Sequence, residues 1–296
     1  MKTIPRGVWQ MSLAMLISGS IGAFVLLSGL PVIDVVFWRC LFGAGALFLV
    51  IRYGNHPFKS LSYPVLLLAI LGGVALVINW LLLFAAYSRI SMGLATVVYN
   101  TQPFMLVLMS MLLGERVSLV KWGWLLVAFS GVVLLLLSEL HHPDAQWLTG
   151  IAMALGAAFF YAVTALITRH LKPLPPQHIA LIQVLTGTVM LLPMAHLPTF
   201  SGAFPWGILL TLGIVHTGLM YQLLYGALQQ LPTPLIGSLS FIYPLVAIVV
   251  DAVLFGHTLS FVQMFGGGFI LLAAAGNNLG WGERSNAAVT HTTRQS

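Results

Sequence analysis

The chain has 296 residues, of which 59% are hydrophobic and only 6% are charged, and its formal net charge is +6. A soluble domain carries about 25% charged residues, and a nucleic-acid-binding protein gathers its basic residues on one face, so the composition and the scattered Lys and Arg residues exclude both classes. The single cysteine, Cys40, excludes an intrachain disulfide and a multi-cysteine metal site.

Ten apolar runs divide the sequence, each with about the 20 residues that a helix needs to cross a bilayer. No stretch between these runs is long enough for an additional soluble domain. The sequence therefore predicts an all-α integral membrane protein with ten transmembrane helices. The predicted spans cover residues 8–27, 32–52, 63–86, 92–113, 119–139, 149–169, 177–197, 205–227, 234–255 and 260–281.

Turn-forming residues separate the runs. Gly29-Leu30-Pro31 ends the first run, and Asn55-His56-Pro57 ends the second, because proline cannot continue a helix. The first run follows Lys2 and Arg6 and in this respect resembles a secretory signal peptide. Its full span length and the nine runs after it favour a retained transmembrane helix.

The placement of lysine and arginine predicts the orientation, because both residues concentrate in short cytoplasmic loops. The loops between spans are assigned to alternate sides of the membrane. Ten of the 12 basic residues then lie on one side and Arg89 alone lies on the other, whereas Arg39 lies within a span. Both termini are therefore predicted to be cytoplasmic. The ten residues are Lys2, Arg6, Arg52, Lys59, Arg116, Lys121, Arg169, Lys172, Arg284 and Arg294.

The two halves of the sequence resemble each other. Residues 71–103 align without a gap to residues 212–244, a constant shift of 141, and this alignment pairs Trp80 with Tyr221. Each half holds five predicted spans, an odd number, so the two copies must enter the membrane in opposite senses.

Inverted repeats of this kind place a pathway at their interface, which opens alternately to each side. A duplicated bundle without a pathway is the alternative. We predict a first five-helix repeat at residues 1–140, a second at residues 148–281 and a disordered cytoplasmic tail at residues 282–296.

Three motifs occur in a characteristic order. Residues 37–44 (FWRCLFGA) are similar to a family segment with an arginine in its second span. Residues 102–116, from Gln-Pro to Leu-Gly-Glu-Arg, and residues 243–256, from Tyr-Pro to Phe-Gly, are similar to a proline-to-Leu-Gly-Glu stretch. The sequence is identified by these motifs as a member of the drug/metabolite transporter superfamily, in its ten-span EamA branch, and the resemblance covers residues 8–281.

The resemblance implies a central cavity ringed by spans 1–4 and 6–9, with spans 5 and 10 packed outside. It also implies export or exchange of small metabolites, often amino acids, without ATP. The sequence departs from the family at Gln102 and Tyr243, where the family often has glutamate, and at His257, which replaces the glutamate of the second Leu-Gly-Glu. These departures argue against proton coupling through carboxylates at those positions.

Uncharged polar and aromatic residues mark a candidate substrate site. Thr96, Tyr99 and Asn100 are spaced three and four apart on span 4, so they share one face of a helix. Hydrogen bonding between helices is the alternative role for each polar residue. The predicted substrate-binding residues are Trp80, Thr96, Tyr99, Asn100, His216, Tyr221, Ser240 and Tyr243.

Two charged residues, Arg39 and Asp251, lie inside predicted spans and away from the span ends. A charge in a membrane costs roughly 2.5–3.5 kcal/mol on insertion scales, so it usually faces a cavity or a partner. Arg39 and Asp251 lie at similar depths from the outer side, on opposite repeats. We predict that they form a gating pair; separate snorkelling of each side chain to the outer interface is the alternative.

Signatures of enzymes and metal sites are absent from the sequence, which has no G-x-S-x-G, H-E-x-x-H or Walker loop. We therefore expect no catalytic residue, no metal and no cofactor.

His141-His142-Pro143-Asp144 is interpreted as a solvated linker between the repeats. Gly266-Gly267-Gly268 permits close helix packing, within the chain or between the protomers of a homodimer.

The sequence as a whole predicts a multi-pass protein of the bacterial inner membrane. We expect a secondary transporter that exports or exchanges a small metabolite, an amino acid or a similar amphipathic compound, by alternating access. Its partners would be this small-molecule substrate and membrane lipids, without nucleic acid. The alternatives are a membrane channel, a lipid flippase and a lipid-modifying membrane enzyme.

Overall fold

The computed structural model describes residues 6–54, 61–112, 118–137, 145–171, 174–196, 204–231, 239 and 242–282. Helices account for most of these residues, and no strand occurs among them, which confirms the all-α prediction. Several features predicted from the sequence lie outside the described residues: the tail from residue 283 onward, the Leu113–Arg116 motif, the His141–Asp144 linker and Ser240.

The first half of the chain forms six helices within the described ranges, with ends that follow from the sequence. Helix α1 ends at Gly29, whose φ of 64° is costly for any residue with a Cβ. Ser91 caps α4 by accepting a hydrogen bond from the Leu94 N–H at 3.2 Å. The helices are α1 (Arg6–Ser28), α2 (Val32–Tyr53), α3 (Tyr63–Tyr87), α4 (Met92–Tyr99), α5 (Gln102–Leu112) and α6 (Leu119–Leu137).

The second half repeats this order of elements. Its last helix begins with a capping box, in which Ser260 and Gln263 exchange side-chain-to-backbone hydrogen bonds of 3.3 and 3.0 Å. The described elements are α7 (Ala145–His170), α8 (Pro176–Leu191), α9 (Phe204–Gly213), a π-helical turn (Ile214–Leu219), α10 (Met220–Gln230), α11 (Ile242–Phe255) and α12 (Phe261–Leu279).

Predicted span 4 is not one continuous helix but two, α4 and α5, separated at Asn100 and Thr101. Proline has no N–H and disfavours the helical conformation in the residue before it, so Pro103 makes continuation across this point costly. Asn100 ends α4, and its side-chain amide donates to the Thr96 carbonyl at 2.8 Å. The span predicted over residues 92–113 thus contains a break that the sequence analysis did not predict.

Membrane-crossing helices are evident by length and composition. Among the described residues, five helical segments are long and apolar enough to cross a bilayer, and three shorter apolar helices accompany them. Large apolar side chains such as Leu126, Phe129, Val253 and Phe265 point outward with at least 65% exposure, as lipid-facing residues do. These features support a multi-pass membrane protein, whereas the number of ten spans stays a prediction.

The equivalent second helices of the two halves, α2 and α8, pack against each other in opposite directions. Gly187 of α8 lies against Cys40 in the middle of α2, and the Asp34 carboxylate at the start of α2 accepts a hydrogen bond from the His196 N–H just after α8, at 2.9 Å. The start of one helix therefore meets the end of the other, which is the geometry that an inverted repeat requires.

The equivalent fifth helices, α6 and α12, show the same relation. Trp124 near the start of α6 covers Gly276 near the end of α12, whereas Gly131 lies against Gly266. A Cβ added to Gly266 would lie 2.8 Å from the Gly131 carbonyl oxygen, so two glycines make this close approach possible. The close helix packing predicted for the glycine run thus occurs within the chain at Gly266.

The remaining contacts interleave the two halves. Helix α3 packs on α7, and helix α1 packs on α10, the last part of predicted span 8. The third span of each half therefore contacts the first span of the other half. We call the end of the bundle that carries Gly29, Ser88 and Gly256 the predicted outer end. One hydrophobic core contains residues of both halves, for example Leu47, Phe84, Leu191 and Leu209.

Candidate substrate site

A cavity of about 460 Å³ lies between the two halves. Helices α1, α3, α7 and α10 supply most of its wall. The remaining lining residues are Arg39, Tyr99, Asn100, Gln102, Gln183 and Tyr243. The volume falls within the range of ligand pockets, which is about 300–1,000 Å³. The cavity occupies the place that the inverted-repeat argument assigned to a pathway.

Five of the predicted substrate-binding residues line this cavity. Tyr99 is the centre of an aromatic cluster, because its ring meets Tyr161 edge-on at 5.9 Å and Tyr243 edge-on at 6.4 Å between centroids. Trp80 and Tyr221 face the same space from the two equivalent helices α3 and α10, as their pairing in the sequence repeat suggested. The five residues are Trp80, Tyr99, Asn100, Tyr221 and Tyr243.

Asn79 fixes the position of Tyr99. Its side-chain amide donates to the Tyr99 hydroxyl at 3.2 Å and to the Ala157 carbonyl at 2.6 Å, and the side chain is fully buried. These two bonds connect α3 with α4 and with α7. The orientation of one cavity tyrosine therefore depends on a buried amide that does not itself line the cavity.

Arg39 lies at the cavity wall and is only 1% exposed. Its Nε donates to the Thr217 hydroxyl at 3.0 Å, and its Nη2 donates to the His216 carbonyl at 3.2 Å. The Trp80 ring covers the guanidinium, with Cζ 4.0 Å from the ring centroid, a cation–π arrangement. The guanidinium therefore rests on neutral partners from the opposite half.

The π-helical turn provides the acceptors for Arg39. Such a turn inserts one extra residue into an α-helix and is frequent at functional sites. Within it, the Thr217 hydroxyl donates to the Leu212 carbonyl at 3.0 Å, five residues earlier, and also accepts from Arg39. The irregular backbone of this transmembrane segment is thus tolerated because side chains re-satisfy its polar groups.

Two of the predicted substrate-binding residues, His216 and Thr96, do not line the cavity. His216 turns away toward α1, where its Nε2 lies 3.0 Å from the Ser20 hydroxyl and its ring packs on Phe24. Thr96 is buried beside Tyr87 and Tyr243, behind the wall. Ser240 lies outside the described residues.

The predicted Arg39–Asp251 pair does not form in this structure. The Asp251 carboxylate accepts a hydrogen bond from the Gly93 N–H at 3.0 Å, and its other oxygen lies 3.0 Å from Nδ1 of His257. The N–H groups at the start of α4 lack partners within that helix and attract a carboxylate. Similar depth in the membrane was therefore a poor guide, because each charge finds partners nearer to it.

Several lining residues carry no signal that sequence reasoning could have used. Tyr161 and Gln183 lie on the apolar spans of α7 and α8, and Met11 and Met15 resemble ordinary packing residues of α1. The repeat alignment offered no clue either, because these positions show no polar periodicity. Within the described residues, no group of three or more His, Cys, Asp or Glu side chains could hold a metal ion.

Comparison with known proteins identifies the family. A model of the EamA-like transporter family matches residues 5–137 and 148–279. The chain belongs to the EamA-like transporter family. The family assignment made from the sequence motifs is thereby confirmed, and the two matches correspond to two successive EamA repeats.

Individual relatives of this EamA protein are also named as transporters. The chain is 31% identical over 271 residues to the "Uncharacterized transporter YxxF" of Bacillus subtilis (strain 168), covering 88% of this chain and 87% of the relative. It is 28% identical over 203 residues to the "Threonine/homoserine exporter RhtA" of Escherichia coli (strain K12), covering 67% of this chain and 66% of the relative. A solved structure titled "Crystal structure of protein" has the same fold, with a TM-score of 0.66 at 17% identity, over 94% of this chain and 99% of that one.

Proposed function

We propose that the protein is a secondary transporter of the bacterial inner membrane that exports or exchanges a small metabolite by alternating access. The observation that carries this proposal is the cavity of about 460 Å³ between two antiparallel sets of helices. Rocking of one inverted repeat against the other opens such a central site to each side in turn. The family and the names of the relatives support transport as the activity.

An amino acid or a similar amphipathic compound is the proposed substrate class. The cavity wall combines aromatic rings with a few polar groups, Asn100, Gln102, Thr164 and Gln183 among them. Such a wall suits a small molecule with one apolar part and one polar part. The name of the Escherichia coli relative, a threonine/homoserine exporter, supports the same class.

The proposed topology has ten spans with both termini in the cytoplasm. The ten-to-one distribution of loop Lys and Arg residues supports the orientation. The antiparallel packing of α2 with α8 and of α6 with α12 supports two copies inserted in opposite senses.

A carboxylate contact at the predicted outer end serves as the proposed gate. Asp251 of α11 holds the start of α4 through the Gly93 N–H, and these helices belong to opposite repeats. The side chain of Asp251 is 3% exposed, so the contact is shielded from water. We propose that opening toward the outside requires this contact to break. It replaces the Arg39–Asp251 pair as the gating interaction.

Counterflow in liposomes tests the proposal. Purified protein is reconstituted into vesicles that are loaded with one unlabelled amino acid at millimolar concentration, and the uptake of a trace of the same amino acid in labelled form is measured. The measurement is repeated for a panel of amino acids that includes threonine and homoserine. A carrier gives saturable uptake that depends on the internal load. Uptake that rises linearly with concentration would indicate a channel, and translocation of labelled phospholipid without amino-acid counterflow would indicate a flippase.

A further inference from the structure

Arg39 carries the only formal charge on the described wall of the cavity. The other lining side chains are apolar, hydroxyl-bearing or amide-bearing. An isolated positive charge beside a low-dielectric cavity attracts anions and repels cations, because little water screens it.

Neither carboxylate in the described part of the chain is available to Arg39. These two acidic residues are Asp34, which accepts from the His196 N–H at 2.9 Å, and Asp251, which is held by Gly93 and His257. The hydrogen-bond partners of Arg39 are a hydroxyl and a carbonyl, both neutral. Its Nη1 has no hydrogen-bond partner among the described residues.

A buried guanidinium without a counter-charge is costly to the fold. Arginine does not lose its proton in a protein, so the charge persists after burial. Taking a charge out of water carries a desolvation penalty, which a carboxylate with good geometry offsets in part. The Nη1 atom, which has no hydrogen-bond partner among the described residues, belongs to a side chain that lines the aromatic cavity.

We propose that Arg39 recognises a carboxylate of the transported substrate, an inference that rests on the proposed transport function. Tyr87, Tyr221 and Tyr243 line the same cavity as Arg39. Tyrosine hydroxyls donate hydrogen bonds to carboxylate oxygens. A carboxylate at this end of the cavity thus neutralises the guanidinium and supplies the acceptor that Nη1 lacks among the described residues.

Trp80 controls access to Arg39. Its ring covers the guanidinium, and Nη1 is shielded from solvent in this conformation. Direct contact between Nη1 and a carboxylate therefore requires the indole ring to move aside.

The test uses two matched panels of compounds with the full-length protein in liposomes. The first panel holds amino acids, and the second holds the corresponding α-carboxamides, which keep the ammonium group and the side chain but lack the negative charge. In counterflow, we expect the amino acids to exchange at least tenfold faster than their carboxamides. Equal rates for both panels would overturn the role of Arg39 and leave the transport function standing. If the wild type exchanges neither the amino acids nor the carboxamides, and exchanges no other loaded metabolite, the result would count against the proposed transport function instead.

Variants of two arginines sharpen the test. Arg39→Gln should abolish the tenfold preference for the carboxylate, and Arg39→Lys should retain only part of it, because lysine lacks the two-pronged geometry of the guanidinium. The matched control is Arg89→Gln, since Arg89 lies at the predicted outer end and donates to the Ala85 carbonyl and the Ser88 hydroxyl. This control should keep both the rate and the preference. If Arg39→Gln does not fold, the comparison of the two panels in the wild type still decides.

A lipid headgroup is a second source of an anionic group. Translocation of labelled phosphatidylglycerol is therefore measured in the same vesicles. Lipid translocation that is faster than in protein-free vesicles, and that is lost in Arg39→Gln, would show that the guanidinium recognises a phosphate and would overturn the carboxylate proposal.

Discussion

The carboxylate of Asp251 and the backbone N–H of Gly93 form a 3.0 Å hydrogen bond between residues 158 positions apart in the chain. The bond joins α11 of the second repeat to the start of α4 in the first. His257 lies 3.0 Å from the other oxygen of the same carboxylate, but its side chain is 52% exposed, in contrast to that of Asp251 at 3%. The two contacts therefore differ in their surroundings and should differ in their contribution to stability.

Asp251→Ala should lower the free energy of unfolding by about 1–3 kcal/mol, because the buried Gly93 N–H then has no acceptor. Asp251→Asn should cost less, since its amide oxygen still accepts that bond. His257→Ala should cost less than about 1 kcal/mol, because the half-exposed imidazole also contacts water and a polar contact of that kind contributes little. Thermal unfolding of the purified protein in detergent measures all three. A loss for His257→Ala as large as that for Asp251→Ala would contradict a dominant contribution of the Gly93 contact to stability.

The glycine run of α12 offers a matched pair of variants. Gly266→Ala should destabilise the protein by about 1–3 kcal/mol, because the new Cβ would lie 2.8 Å from the Gly131 carbonyl oxygen and within 3.1 Å of two Leu135 side-chain atoms. Gly268→Ala should leave the unfolding temperature unchanged or raise it slightly, since no atom lies within 4 Å of its added Cβ and alanine favours helices.

Cross-linking and size-exclusion measurements test whether the protein forms a homodimer through this face of α12. If a larger residue in Gly268→Leu dissociated a dimer while the fold of each chain persisted, Gly268 would lie between protomers. If Gly266→Ala were as stable as the wild type, the close contact between α6 and α12 would be contradicted.

The bonds of Asn79 predict a positioning role for this residue. Asn79→Leu removes the donor to the Tyr99 hydroxyl and leaves the Ala157 carbonyl without its partner. We expect counterflow to weaken mainly through a higher KM, because the Tyr99 ring is no longer held against Tyr161 and Tyr243. Tyr99→Phe is the matched control: it loses the same hydrogen bond but keeps the ring and should lose less activity. A larger loss for Tyr99→Phe than for Asn79→Leu would indicate that the hydroxyl itself contacts the substrate.

The extent of prediction from sequence differs between the fold and the site. Apolar runs, Lys and Arg placement and the 141-residue shift were sufficient for an all-α membrane protein with two repeats. They were insufficient for the break at Asn100 and Thr101 and for the π-helical turn, because both depend on which neighbouring side chains hydrogen-bond the free backbone groups. Pro103 indicated a perturbed helix but not two separate helices.

Site residues followed the same division. Trp80 and Tyr221 line the cavity as their paired positions in the repeat suggested, whereas Tyr161 was missed because an isolated tyrosine in an apolar span has no distinguishing pattern. Arg39 was singled out correctly as a buried charge, but its partner was predicted from depth alone. In the structure, the guanidinium instead donates hydrogen bonds to the Thr217 hydroxyl and the His216 carbonyl.

The proposed topology predicts the side of the membrane on which two positions lie. A reporter fused after Ser296 should be active in the cytoplasm, and a reporter inserted at Asp144 should be active in the periplasm, because the Lys and Arg asymmetry places these positions on opposite sides. Paired phosphatase and fluorescent-protein fusions measure both. A periplasmic signal at Ser296 would reverse the orientation, and the same side for both positions would contradict the odd number of spans per repeat.

The most direct measurement of the central claim is substrate counterflow in a variant whose cavity is filled. Ala165 lines the cavity on α7, and Leu148 lies on the same helix with 46% of its surface exposed outward. Ala165→Trp should reduce counterflow of the best amino acid in the panel at least tenfold, whereas Leu148→Trp should transport as the wild type does, with both proteins present in the membrane at similar amounts. Undiminished counterflow in Ala165→Trp, or an equal loss in both variants, would contradict a substrate pathway through the cavity between the repeats.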